Sequence, residues 1–371
     1  MRSLDSMAQQ KLDDLSERQI RRVLVTSDRI GGGKLLREGR ELLDFCSNDL
    51  LSLAHDPDIV SAAVTATRQY GTGAGASRLV TGNHGLLRAL EVALARHHQA
   101  EDAVVFGSGY LMNAGVVPTL VGPPDLVVLD ELAHACLYAG AQLSGATLMR
   151  CPHNDVEVLA RVLAEHRSDH RRCMVLTDTV FSMDGDVAPL ERMHGVCVAH
   201  DAWLMTDDAH GLGLMSCDNP APLKGGTLSK ALASYGGYIC GSQVVMDLLR
   251  TRARTLIYST GLPPGVVAAA TAALHKIEHD PEWCARPRML ARRFASAMGL
   301  AEPAAGIVPW VVGTPARALQ VSEALLSRGF VVTAIRPPTV PEGTSRLRLT
   351  FQAAHTEAQV DALVRACQEV A

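Results

Sequence analysis

Short apolar runs alternate with helically patterned stretches through most of the chain. Ala103 to Phe106, Leu126 to Leu129, Met174 to Leu176, Ala202 to Met205 and Tyr238 to Cys240 each span a few residues and end in polar or glycine positions. Continuous apolar runs separated by helices predict strands covered on both faces, and hence an α/β fold with a mostly parallel central sheet. From Leu4 to Val25, apolar residues recur at helical spacing among many charges, which predicts an amphipathic arm leading to a break at Gly31-Gly32-Gly33. Beyond Pro264 the texture changes to a helix, strand-like Ile307 to Val312, helical Ala316 to Arg328, strands Val331 to Ile335 and Arg346 to Phe351, and a last helix from Thr356. These patterns predict an N-terminal helical arm over 1–44, a large domain over 45–264 and a smaller C-terminal α+β domain over 265–371. No internal repeat, low-complexity tract or long polar linker interrupts them, so the parts are expected to pack closely.

In such a sheet the chemistry belongs at the carboxyl ends of the strands, where loops and helix N-termini converge. Ser108-Gly109-Tyr110, Asp130 to His134, Asp178 to Ser182 and Asp207 to His210 all follow apolar runs and aim at one cleft. The stretch Thr227-Leu228-Ser229-Lys230-Ala231-Leu232 sets a lysine among small residues, which lets a planar group approach the amine. At its usual pKa near 10.4 a lysine amine is neutral in only about one copy per few thousand at pH 7, so a catalytic amine must be desolvated or held as an imine. Without support, a solvated loop lysine is the default.

Asp207 and His210 supply support. A carboxylate at the end of a buried strand needs a cation, and a protonated pyridine nitrogen is one. His210, slightly further on, can reach a phenolic oxygen or the imine region; capping roles at a strand-to-helix junction account for the pair equally well. Gly107-Ser108-Gly109-Tyr110, opening a helix, offers backbone N–H donors to a phosphate. Gly71-Thr72-Gly73-Ala74-Gly75-Ala76 has no apolar strand before it and the wrong spacing for a dinucleotide fingerprint. His134 can stack on a planar ring, although a lone histidine is more often a core or surface residue. Arg346 and Arg348 alternate along a predicted strand, so one is expected to enter a cleft and grip a carboxylate while the other meets solvent or a loop. Periodicity does not choose between them.

Composition narrows the partners. With 371 residues, 47% hydrophobic content and a net charge of −4, the chain can bury a large core and carries no basic footprint for nucleic acid or an anionic membrane. A small or neutral partner is expected. Nine cysteines without a C-x-x-C pair fit reduced thiols, with no structural metal. The N-terminus is too charged for a signal segment and no long apolar run follows, which places the protein in the cytoplasm.

Together the residues resemble a known family. SNDLLSL from Ser47, GASRLVTGNH from Gly75, FSMDGDVAPL from Phe181, DDAHGLG from Asp207, TLSKAL from Thr227, YSTGLPP from Tyr258 and AIRPPTVPEGTSRLRLT from Ala334 are similar to the α-oxoamine synthases. The resemblance runs from about Leu43 to His355. It implies a pyridoxal 5'-phosphate enzyme of transferase fold type I, acting as a homodimer with its site at the subunit interface. It further implies that Lys230 binds the cofactor covalently, Asp207 holds the pyridinium, His134 stacks on the ring, and Ser182 and His210 bond the phenolic oxygen. Ser108, Gly109, Tyr110 and Thr227 would hold the phosphate, with Thr260 reaching over from the second subunit. Arg348 would bind the amino acid carboxylate, Arg22, Thr339 and Arg336 would touch the acyl substrate, and Asn48 would lie near the reacting centre. The last segment implies L-alanine and a pimeloyl thioester, on CoA or a carrier protein, as substrates. Glycine with acetyl-CoA or succinyl-CoA is the rival pairing, and a catalytically weak cofactor-binding paralogue is the rival class.

One departure stands out. Between His210 and Lys230 the chain is shorter than family members, and Asn219-Pro220-Ala221-Pro222-Leu223-Lys224-Gly225-Gly226 replaces an apolar strand. Either only the loop is shortened and the ladder survives, or Lys230 is less rigidly placed. Asp178 is assigned no catalytic role.

Overall fold

The computed structural model describes residues 2–215 and 218–371. They form two compact units, one of Asn48–Ser182 with Asp186–Ala285, the other of Met1–Ser47, Met183–Gly185 and Arg286–Ala371. Among the described residues no helix is long and apolar enough to cross a membrane.

The larger unit is built on a seven-stranded sheet. In spatial order its strands are Asp102–Phe106, Gly237–Gly241, Leu223–Thr227, Trp203–Asp207, Cys173–Asp178, Leu126–Asp130 and Thr147–Cys151. Gly237–Gly241 runs antiparallel to both neighbours, and the ladders from Leu223–Thr227 outward to Thr147–Cys151 are parallel. Successive side chains serve opposite faces. Val127, Leu129, Leu176 and Met205 pack beneath helices Gly109–Leu120 and Ala135–Ser144, whereas Leu126, Val128, Val175 and Leu204 meet helices Val156–His166 and Leu190–Ala199. Burial on both faces is why these strands read as unbroken apolar runs. The edge strand Thr147–Cys151 has no such run, because much of it is exposed, and the sequence pattern misses it.

The ladder ahead of Lys230 survives. Met205 pairs with Leu223, Thr206 with Lys224 and Asp207 with Gly225, and the far edge of this strand pairs with Gly237–Gly241. Glycines stand where an apolar pattern was expected because neighbours fill the space: a Cβ on Gly226 would lie 2.4 Å from the Tyr238 hydroxyl, and one on Gly225 2.6 Å from Met112 Cε.

In the smaller unit the N-terminal helix, Arg2–Glu17, is shorter than the expected arm to Val25. Gln19 adopts φ 56°, and the N–H groups of Ile20 and Arg21 both return to the Leu15 carbonyl, which closes the helix. Gly31-Gly32-Gly33 is more than a break: all three have positive φ and turn a hairpin between strands Asp28–Gly31 and Lys34–Arg37. Strand Arg40–Asp44 continues that sheet and pairs in parallel with Phe330–Val331. The expected strand Val331 to Ile335 therefore divides, since Thr333–Ile335 joins a different sheet beside Ser345–Thr350 and Ile307–Gly313. Phe45, Phe294, Leu347, Leu349, Phe351 and Leu363 form the core of this unit. The final helix, Glu357–Val370, starts in a capping box between Thr356 and Gln359.

Arg346 and Arg348 depart from expectation. Two residues apart on Ser345–Thr350, they share a face instead of dividing between two, while Leu347 and Leu349 turn into the core. Neither meets solvent, at 5% and 7% exposure.

Candidate functional site

Five strand ends of the larger unit assemble the cluster. After Asp102–Phe106, Ser108 caps the helix Gly109–Leu120 by accepting from the Leu111 N–H at 3.1 Å. Its first turn lies against the adjoining strands: a Cβ on Gly237 would sit 2.5 Å from both the Gly109 nitrogen and the Ser108 oxygen, and one on Gly109 would sit 3.4 Å from Thr227 Cβ. Thr227 Oγ1 donates to the Gly236 carbonyl at 2.9 Å and lies 2.7 Å from Ser229 Oγ. A helix N-terminus flanked by two hydroxyls is a cradle for an anion, and Tyr110 stands half exposed at its edge.

Asp207 ends strand Trp203–Asp207 and is 3% exposed. Its Oδ1 accepts the Ala209 N–H at 3.0 Å and its Oδ2 accepts Asn113 Nδ2 at 2.7 Å. Oδ2 also takes a longer contact from Cys136 Sγ at 3.9 Å, and Oδ1 keeps a lone pair for a further partner. In the turn that follows, His210 Nε2 lies 2.9 Å from Lys230 Nζ. Lys230 thus stands beside the carboxylate strand, on the segment that leaves Leu223–Thr227.

His134 follows Leu126–Asp130 and caps the helix Ala135–Ser144, with Nδ1 accepting the Cys136 N–H at 3.3 Å. Burial, and after it the Lys230 charge, lowers its pKa, against an opposing pull from Asp207. Its backbone N–H donates to Asp178 Oδ2 at 2.8 Å. Asp178 is the register partner of Asp207 across the parallel ladder, and burial together with the Asp207 charge pushes its carboxyl well up. Asp178 therefore holds the loop that carries His134.

A second cluster ties the neighbouring strand ends. His153 Nδ1 lies 3.0 Å from Asp130 Oδ1 and Nε2 lies 2.7 Å from Asp186 Oδ2, with the ring edge-on to Phe181. Asn154 adds a bond from Nδ2 to Asp186 at 2.9 Å. This clamp joins the loop before His134 to the segment around Ser182.

The residues expected to bind substrate lie mostly in the smaller unit. Arg22 donates to Thr339 Oγ1 at 2.9 Å, the Thr339 backbone N–H donates to the Arg336 carbonyl at 3.1 Å, and Arg336 donates to the Gln19 carbonyl at 2.5 Å, so Arg22, Thr339 and Arg336 form one group. Burial lowers the Arg336 pKa, and Arg22 adds to the effect. Burial also lowers Arg348, to about 10, which leaves it protonated at neutral pH. Arg346 instead pairs with Asp184 and donates to the Thr344 carbonyl at 3.0 Å. Asn48 is exposed and Ser182 half-buried, both in the larger unit, and Thr260 is exposed and bridged to Ser77.

Sequence reasoning missed Asn113, Cys136 and the supporting role of Asp178. One signal was available: Asn113 is a lone amide inside the apolar helix Gly109–Leu120, where a buried polar group needs a partner.

The profile of the aminotransferase class I and II family matches residues 40–367. An 8-amino-7-oxononanoate synthase from Methylobacterium radiotolerans is 55% identical over 366 residues, covering 99% of this chain and 98% of the relative. A putative 8-amino-7-oxononanoate synthase from Parvibaculum lavamentivorans is 51% identical, covering 100% of this chain and 98% of that one. Among solved structures, serine palmitoyltransferase from S. paucimobilis, with a PLP–myriocin aldimine bound, superposes with a TM-score of 0.91 at 27% identity, covering 99% of this chain and 97% of that one. An 8-amino-7-oxononanoate synthase from Francisella tularensis shares the fold at a TM-score of 0.74 and 22% identity, over 89% of this chain and 98% of its own.

Proposed function

Since the chain belongs to the class I and II aminotransferase family, within its 8-amino-7-oxononanoate synthase group, we propose that it joins L-alanine to a pimeloyl thioester, yielding 8-amino-7-oxononanoate, carbon dioxide and the free thiol of CoA or a carrier protein. The observation that carries the reading is the approach of Lys230 Nζ to His210 Nε2 at 2.9 Å, beside a buried Asp207 whose two oxygens are each held by a donor.

The cofactor is pyridoxal phosphate, which supplies an electron sink next to the amino acid's α-carbon. The residues present fit it. Asp207, buried and oriented, suits a protonated ring nitrogen. His134 would cover the ring, His210 and Ser182 would take its phenolic oxygen, and Ser108, Gly109, Tyr110 and Thr227 would hold the phosphate, joined by Thr260 of a second copy in a homodimer. Lys230 would hold the aldehyde, and its free amine would take the alanine α-proton and later return a proton to the same carbon. His210 keeps Nζ aimed at that carbon. Arg348, buried and charged, grips the amino acid carboxylate, and Arg22, Arg336 and Thr339 meet the acyl chain with Asn48 nearby. The intact ladder ahead of Lys230 supports a working enzyme over a weak paralogue.

The test is carbon dioxide release by purified protein loaded with pyridoxal phosphate. L-Alanine with pimeloyl-CoA or a pimeloyl carrier protein is expected to outpace glycine with acetyl-CoA or succinyl-CoA. Faster turnover of a glycine pair overturns the substrate assignment.

A further inference from the structure

Asn113 has two amide hydrogens, and both are used inside the cluster. One goes to Asp207 Oδ2 at 2.7 Å and the other to Cys136 Sγ at 3.1 Å. Cys136 Sγ in turn lies 2.8 Å from His134 Nδ1, the atom that also accepts the Cys136 backbone N–H. A nitrogen that accepts a backbone hydrogen carries none itself, so the thiol hydrogen points to it, 2.8 Å away, in preference to Asp207 Oδ2 at 3.9 Å, and the neutral imidazole keeps its proton on Nε2. Both side chains are buried, Asn113 completely and Cys136 at 3% exposure, so water does not compete for these bonds.

We propose that Asn113 and Cys136 are positioning residues: a single amide orients the Asp207 carboxylate and, through the Cys136 thiol, sets the tautomer and tilt of His134. The inference rests on the reading above, in which Asp207 and His134 hold the two sides of one planar cofactor. Its physical content is that two groups drawn from different strand ends are not set independently. Asn113 reaches both from the helix Gly109–Leu120, whose first turn is the anion cradle, so phosphate, ring nitrogen and ring face are referred to one rigid element. The Asn113 donor fixes where Asp207 Oδ2 stands. Without it, the positive charge on the ring nitrogen is less well held, and a less positive ring raises the proton affinity of the nitrogen that links it to Lys230.

The experiment is a pH titration of the visible absorbance band of the protein loaded with pyridoxal phosphate, together with the cofactor dissociation constant. It compares wild type with Asn113→Leu, Cys136→Ala and Cys136→Ser. Asn113→Leu, with the same branching but lacking the donor, is expected to raise the band's midpoint by about one pH unit and to weaken cofactor binding about tenfold. Cys136→Ala should shift the midpoint in the same direction by less, and Cys136→Ser, which keeps a donor and an acceptor, should restore it. Wild-type midpoint and affinity in Asn113→Leu overturn the proposal. Should that variant not fold, identical midpoints for the alanine and serine variants at Cys136 overturn it equally. A wild-type chain that forms no band at all overturns the underlying reading, and this inference with it.

Discussion

His210 Nε2 and Lys230 Nζ stand 2.9 Å apart, although twenty residues separate them and each leaves a different strand of the parallel ladder. Lys230→Ala is therefore expected to abolish covalent capture of pyridoxal phosphate, read as loss of the borohydride-fixed adduct by mass spectrometry. His210→Ala should retain that adduct and lower kcat by about 10- to 1000-fold. An adduct that persists in Lys230→Ala, or moves to another lysine, removes the basis of the proposed chemistry.

The close approach of Gly237 to the first turn of Gly109–Leu120 makes a second test. A side chain there would press on the Ser108 oxygen and Gly109 nitrogen, which are backbone atoms and cannot rotate away. Gly237→Ala is expected to cost about 1–3 kcal/mol of stability in urea titration. It should also weaken binding of the cofactor more than binding of its dephosphorylated form. Equal weakening of both would show that the turn does not read the phosphate.

A third prediction concerns pH. Burial opposes a charge on His153, but its hydrogen bonds to Asp130 and Asp186 prevail and push it up to about 10, with Glu131 also close through the His153 backbone N–H. In the unfolded chain a histidine titrates near 6.5. The folded form holds the proton more tightly, so the stabilisation is complete below about pH 6.5, falls as pH rises, and is gone above the folded value near 10. His153→Gln should lose most stability relative to wild type near pH 6 and progressively less towards pH 10. A difference in urea midpoint that stays constant across that range counts against the clamp.

The pair of Arg346 with Asp184 yields a fourth. Arg346 is buried, so Asp184→Ala leaves a guanidinium without its carboxylate and is expected to cost about 1–3 kcal/mol. In a double-mutant cycle with Arg346→Met, the second substitution should cost less in the Asp184→Ala background than alone. Additive losses would show that the two side chains do not act together.

Much of the central sheet was legible because burial on both faces leaves continuous apolar runs. Where that cause is absent, the signal fails: Thr147–Cys151 is an edge strand, and Leu223–Thr227 carries glycines because Tyr238 and Met112 occupy the space side chains would need. Arg2–Glu17 shows the opposite error. Its periodicity continues past the helix, since helical spacing says nothing of a left-handed residue at Gln19. The site followed the same division. Lys230, Asp207, His210 and His134 could be read as residue types in revealing surroundings, whereas Asn113, Cys136 and Asp178 stand out only through what they touch.

By itself the sequence determined the α/β class, the strand ends that carry the candidate site residues, and the resemblance of its motifs to one enzyme family, because residue type, order and periodicity are properties of the chain. Tertiary structure alone decided that the ladder ahead of Lys230 is intact, that Arg346 is taken by Asp184, and that one amide bonds both Asp207 and Cys136. Those are questions of distance between residues far apart in the chain, and distance is settled only when packing brings their strands and helices together.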